Sequence, residues 1–129
     1  MSKILTEISA GELLDKISIL EIKLNKIKDP VLLNKIQKEY NILNITKKNN
    51  IKISKEIDHL YENLKKINEK LWKIEDEKRL CEKNSIFDNK FIQLARDVYI
   101  NNDNRAKIKS EINKILGSNI EEVKQYTNY

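Results

Sequence analysis

Leucine and isoleucine recur in alternating steps of three and four through most of this chain, the spacing of amphipathic helices. Leu13, Ile17, Leu20, Leu24 and Ile27 form the first such stripe. Ser9-Ala10-Gly11-Glu12 fits a capping box, in which the Ser9 hydroxyl accepts from the Glu12 amide while the Glu12 carboxylate reaches back. A helix is predicted over residues 9–28. Ile8, Ile19 and Ile22 give it a second apolar patch on the opposite side. A helix apolar on two sides is either sandwiched or offers one side to a partner. Ile19 and Ile22 are therefore interface candidates.

Asp29-Pro30 reads as an N-cap followed by proline at the first helical position, where no hydrogen bond is lost. A second helix over 30–46 carries Leu32, Leu33, Ile36, Tyr40 and Leu43. The short connection implies an antiparallel pair. The polar run Thr46 to Asn50 predicts a turn. A long third helix over 51–83 shows Ile53, Ile57, Leu60, Leu64, Ile67, Leu71, Ile74 and Cys81 on one stripe. At 1.5 Å per residue it is roughly 50 Å long. It outruns the first two, so its far part needs the C-terminal helices or a second subunit.

Asn84 to Asp88 predicts a turn, with Asp88 capping a fourth helix over 88–101 that faces inward with Phe91, Leu94, Ala95 and Val98. The run Asn101 to Asn104 predicts another turn. A fifth helix over 103–116 then points Ile108, Ile112, Ile115 and Leu116 inward and ends at Gly117. The predicted fold class is all-α. It is an antiparallel helical hairpin or coiled-coil-like bundle with one long helix (51–83) and a C-terminal helical pair, one domain over 1–129.

Composition agrees. Only Gly11, Gly117 and Pro30 punctuate the chain, too few breakers for a turn-rich β fold. No run approaches the ~18 apolar residues of a membrane span, and the N-terminal segment lacks the apolar core of a signal peptide. The single cysteine, Cys81, has no second thiol to pair with. A cytoplasmic protein without membrane contact is expected.

The net charge of +5 carries less meaning than its size suggests. The chain has 21 Ile against 3 Val, 22 Lys against 3 Arg, and 16 Asn. That is the bias of AT-rich codons, and acidic residues interrupt nearly every basic stretch. A solvated helix surface explains the lysines, and nucleic-acid binding is not expected. The same bias singles out Arg79, Arg96 and Arg105 as positions that need a planar, bidentate donor.

A second stripe on the third helix, Tyr61, Asn68, Trp72, Glu75, Arg79 and Glu82, lies beside its apolar seam. It reads either as a structural polar flank or as the wall of a cleft for an anion. Arg96 and Tyr99 follow on the fourth helix and Asp103 one turn later, with Arg105 and Lys109 on the fifth. If these helices pack together, Arg79, Arg96, Arg105 and Lys109 converge with Glu75 and Asp76. Such a cluster suits a phosphate or carboxylate ligand, or serves as an ion-pair lock. Glu12 and Lys16 lie on the edge between the two apolar sides of the first helix.

His59 is the only histidine and lies mid-helix, so a histidine-based triad is not expected. With one Cys and one His no zinc site is expected, and no phosphate-binding glycine loop is present. Glu12-Leu13-Leu14-Asp15 superficially matches the acidic E-x-x-D element of all-α nucleotide pyrophosphatases. Without a partner motif, no cofactor is expected, and magnesium enters only if a ligand cleft exists.

Three segments carry a resemblance. They are Gly11 to Lys23, Leu71 to Asp76, and Leu94 to Tyr99 with Asn102 to Lys109. Together they resemble an uncharacterised bacterial family of short helical proteins, domain of unknown function 6165, over residues 11–126. The resemblance implies an all-helical protein and brings no activity with it. Its motif positions fall at Glu12, Asp15, Lys16, Trp72, Glu75, Asp76, Arg79, Arg96, Tyr99, Asp103, Arg105 and Lys109.

Two functional readings follow. The first is a non-enzymatic binding or assembly module that uses helical surfaces on a protein partner or on a second copy of itself. The second is a protein that binds a small phosphorylated metabolite or sugar nucleotide in an arginine-carboxylate cleft, with or without catalysis.

Overall fold

A computed structural model describes residues 2–129. The expected domain begins at residue 1, which lies outside the described residues. The described residues form an all-helical fold of four helices: α1 (Ala10–Lys26), α2 (Pro30–Asn50), α3 (Lys55–Lys83) and α4 (Asn89–Leu116).

The caps are those the residue types favour. Ser9 Oγ accepts from the Glu12 amide at 3.2 Å, and Asp29 Oδ1 accepts from Val31 and Leu32. Asp88 Oδ1 accepts from Lys90 and Phe91. Gly117 adopts the left-handed φ of 61° that ends α4, a conformation only glycine takes at no cost. The α3–α4 turn also holds Ser85 at a positive φ of 54°.

Two boundaries differ from the sequence reading. The polar run Thr46 to Asn50 is the last turn of α2 rather than a loop. Thr46 Oγ1 donates to the Ile42 carbonyl and Asn50 Nδ2 to the Thr46 carbonyl, so these polar side chains find partners inside the helix. The break falls at 51–54 instead, where Ser54 caps α3 by accepting from Ile57. Ile53 precedes the cap, and α3 is continuous from Lys55.

The second difference matters more for the site. The expected pair over 88–101 and 103–116 is one unbroken helix, α4. No glycine or proline lies between Asp88 and Gly117. Asn and Asp cost a helix only about 0.7 kcal/mol each relative to Ala, and Asn101 Nδ2 bonds the Asp97 carbonyl within the helix. Packing of Leu94 and Ile112 on either side of the polar run carries the helix through it.

α1 is the hub and packs against α2, α3 and α4, and α4 also packs along α3. α1 and α4 are antiparallel, since Gly11 meets Asn113 while Asp15 meets Arg105. The core holds Leu14 from α1, Ile57, Leu60 and Leu64 from α3, and Ile112 from α4. Gly11 is where α4 comes closest. A Cβ there would lie 2.5 Å from the Lys109 carbonyl oxygen and 3.0 Å from Asn113 Oδ1. At about 26 Å, α1 is much shorter than α3 at about 44 Å. The far part of α3 is therefore covered by α4, which supplies within the chain the partner that its excess length demanded. Cys81 and Leu94 are buried there, while Leu80, Phe87 and Ile92 are exposed at the hairpin's end.

None of the described helices is long and apolar enough to cross a membrane.

Candidate functional site

The most concentrated chemistry lies where α1, α3 and α4 meet. Along α1, Gly11, Asp15, Ser18 and Ile22 repeat at steps of four, three and four, the spacing of a buried stripe, and all four are buried. Asp15 is 1% exposed and Ser18 fully enclosed. A carboxylate taken from water needs charged and hydrogen-bonding partners. Asp15 Oδ1 accepts from Asn68 Nδ2 at 2.9 Å, and its Oδ2 lies 3.2 Å from the Arg105 guanidinium and 3.9 Å from Lys109 Nζ. Asn68 Nδ2 also donates to Ser18 Oγ, which donates to the Asp15 carbonyl.

Lys109 continues the ladder outward. Its amine donates to Glu12 at 2.6 Å and to Glu122 of the C-terminal segment at 3.3 Å. Burial alone would lower the lysine pKa. The Glu12 hydrogen bond and the charges of Asp15, Glu12 and Glu122 outweigh it, and the pKa rises above the usual lysine value. Glu12 thus does not complete a capping box, because its carboxylate turns to Lys109 instead of back along the helix. Asn113 Oδ1 accepts from the Gly11 amide at 2.7 Å and Ser118 Oγ from the Ala10 amide at 3.1 Å. Two otherwise unpaired amides at the start of α1 are satisfied by α4 and its cap.

No buried side-chain nitrogen or oxygen among the described residues lacks a hydrogen-bond partner. A ladder this complete positions helices, and its central carboxylate is closed to solvent. The E-x-x-D carboxylates, Glu12 and Asp15, point at Lys109 and Arg105.

A second polar contact links α1 to α3. Tyr61 donates its hydroxyl to Glu21, which also holds Lys65 at 3.0 Å. Burial first, and then the Glu21 carboxylate, push the Tyr61 pKa well above the usual tyrosine range. Lys47 from α2 sits over the Tyr61 ring, 5.4 Å from its centroid.

Of the residues singled out by sequence, Glu12, Arg105 and Lys109 come together, and the other arginines do not join them. A continuous α4 explains why. Nine residues separate Arg96 from Arg105, about 14 Å of rise and half a turn of rotation, so they face opposite ways. Arg96 and Arg79 are exposed. Glu75 pairs with Lys78 at 3.6 Å rather than with Arg79. Lys16 is exposed. Tyr99 and Asp103 form a separate contact with the C-terminal segment. Tyr129 donates to Asp103 at 2.6 Å and packs edge-on against Tyr99, with ring centroids 5.3 Å apart. Asp76 and Trp72 line a groove beside the end of α1. Ile22 is 3% exposed and packs within the chain, while Ile19 is half-buried and keeps part of its surface open.

Periodicity passed over Ser18, Asn113 and Glu122. Asp15 and Ser18 nonetheless carried a signal, as polar residues at buried-stripe spacing on the most apolar helix. Nothing in the sequence fixes which residues of α4 they meet.

The apolar surface left open is on α2, none of whose residues is buried. Leu33, Ile36, Tyr40 and Leu43 form its half-buried inner stripe toward α1. On the opposite side Val31, Ile42 and Ile45 are 65%, 55% and 59% exposed.

No curated protein and no solved structure matches this chain. The family model described as Family of unknown function (DUF6165) matches residues 4–129, nearly the full length. The resemblance read from the α1, α3 and α4 segments is thereby established, and the chain belongs to this family of unknown function.

Proposed function

We propose that this protein is a non-enzymatic binding or assembly module whose working surface is the outer face of α2. One observation carries the reading: α2 is apolar on two opposite sides, yet it covers only one of them. Val31, Ile42 and Ile45 keep more than half of their surface open, and covering the remainder contributes roughly 1–2 kcal/mol each toward a helix-on-helix contact. An exposed apolar stripe with a polar rim is the usual mark of an association surface. Lys35 and Lys38 lie on or beside this stripe. They favour a partner helix that brings carboxylates, and they oppose close pairing with a second copy.

Ile42→Ser with Ile45→Ser tests the reading. Both side chains are exposed, so helicity by circular dichroism should stay unchanged. Comparison of the proteins that co-purify with each chain should then show the loss of a partner. A wild-type chain with the same co-purifying proteins as the double variant would overturn it.

A further inference from the structure

A groove of about 880 Å³ lies where the end of α1 and the α1–α2 turn face the middle of α3. It is an open surface groove with a mostly charged lining rather than an enclosed pocket. Lys66, Lys70 and Lys73 line it from α3 at i, i+4 and i+7, one stripe of a helix. Lys26 and Lys28 face them from the end of α1 and the turn. Among the described residues, Lys26, Lys28, Lys66 and Lys70 have no carboxylate within ion-pair distance, whereas Lys65 and Lys109 are each held by one or more. Lys73 has only a 4.0 Å approach to Glu77.

The groove also holds the one tryptophan of the sequence. Trp72 is half-buried, and with Glu69 and Asp76 it forms a second stripe beside the lysines. Five lysines against two carboxylates leave a net charge of +3. Clustered amines attract phosphate oxygens. A half-buried indole offers an apolar face to a flat ring. Glu69 and Asp76 can accept from sugar hydroxyls, which a bare phosphate does not supply.

We propose that this groove binds a nucleoside diphosphate, free or as a sugar ester, with phosphates on the lysines of α3 and of the α1 end and the base against Trp72. This site is separate from the outer face of α2 and does not depend on the assembly reading.

Trp72 is its own reporter. Titration with uridine diphosphate and with adenosine diphosphate at low salt should change its fluorescence in a saturable way, with matching heats by calorimetry. Lys66→Gln with Lys70→Gln, both exposed positions, should weaken binding by about tenfold or more while leaving helicity intact. Affinity should also fall with added salt. Inorganic pyrophosphate should bind more weakly than either nucleotide. No saturable signal at millimolar nucleotide would overturn the proposal. So would equal affinity in the double variant, or pyrophosphate binding as tightly as the nucleotides. Ile42→Ser with Ile45→Ser should bind nucleotide like the wild type, so failure at one surface is distinguishable from failure at the other.

Discussion

α1 and α2 lie side by side and draw on the same few residue types, yet they are held in place differently. α1 buries eight of its 17 residues, including an aspartate and a serine. α2 is longer, at 21 residues, and buries none. Both carry apolar residues on two sides. The difference is in neighbours: α1 has helices around it, and α2 touches α1 alone apart from long side chains such as Lys47 over Tyr61. Gly11 makes the crowding of α1 possible, because only a missing side chain lets the α4 backbone come so close. Amphipathic pattern therefore says that a face wants cover. Only the tertiary arrangement says whether the chain itself provides it.

The largest effect that tests this contrast comes from the α1 ladder. Asp15→Ala leaves Arg105 and Lys109 without the carboxylate between them and takes one of its two acceptors from Asn68, and should cost about 3 kcal/mol or more in urea unfolding. A cost under about 1 kcal/mol would mean that the ladder is not what fixes α1. Next, Leu14→Ala in the core should lose about 3 kcal/mol. Leu43→Ala on the inner face of α2 should lose only about 1 kcal/mol, because less of the side chain leaves water. Similar losses at both sites would erase the distinction between the two helices.

The smallest effect is the pH response of the C-terminal segment. Burial opposes ionisation of Glu122, but Lys109 outweighs it and lowers the pKa below 4.5. Its contribution is therefore present above pH 4.5 and is lost as pH falls through the lower folded value. Lys109 has the opposite sign. Its pKa is raised above 10.5, so its contribution is complete below pH 10.5 and is lost as pH climbs through the folded value. Between these limits the pair adds no slope. Glu122→Gln should flatten the acid limb of the urea midpoint and leave the region near neutrality unchanged.

Much of the fold was legible in the residues. Ser9, Asp29, Asp88 and Gly117 mark helix ends because capping is local chemistry. The apolar stripe of α3 was legible for the same reason. Two polar runs misled, because Asn and Thr favour turns only when nothing else pays for the helix, and at 101–104 the packing on either side does. The site was less legible. Arg105, Lys109 and Glu12 stood out, but Arg79 and Arg96 were grouped with them on the premise of two short helices. A single continuous rod turns Arg96 away from Arg105. Which groups meet across helices depends on register, and no local pattern carries it.

Cys81, buried near the end of α3, gives that hairpin a built-in clock. A thiol-alkylating reagent can reach it only when the two helices part, so the labelling rate measures how often this end breathes apart from the rest of the molecule.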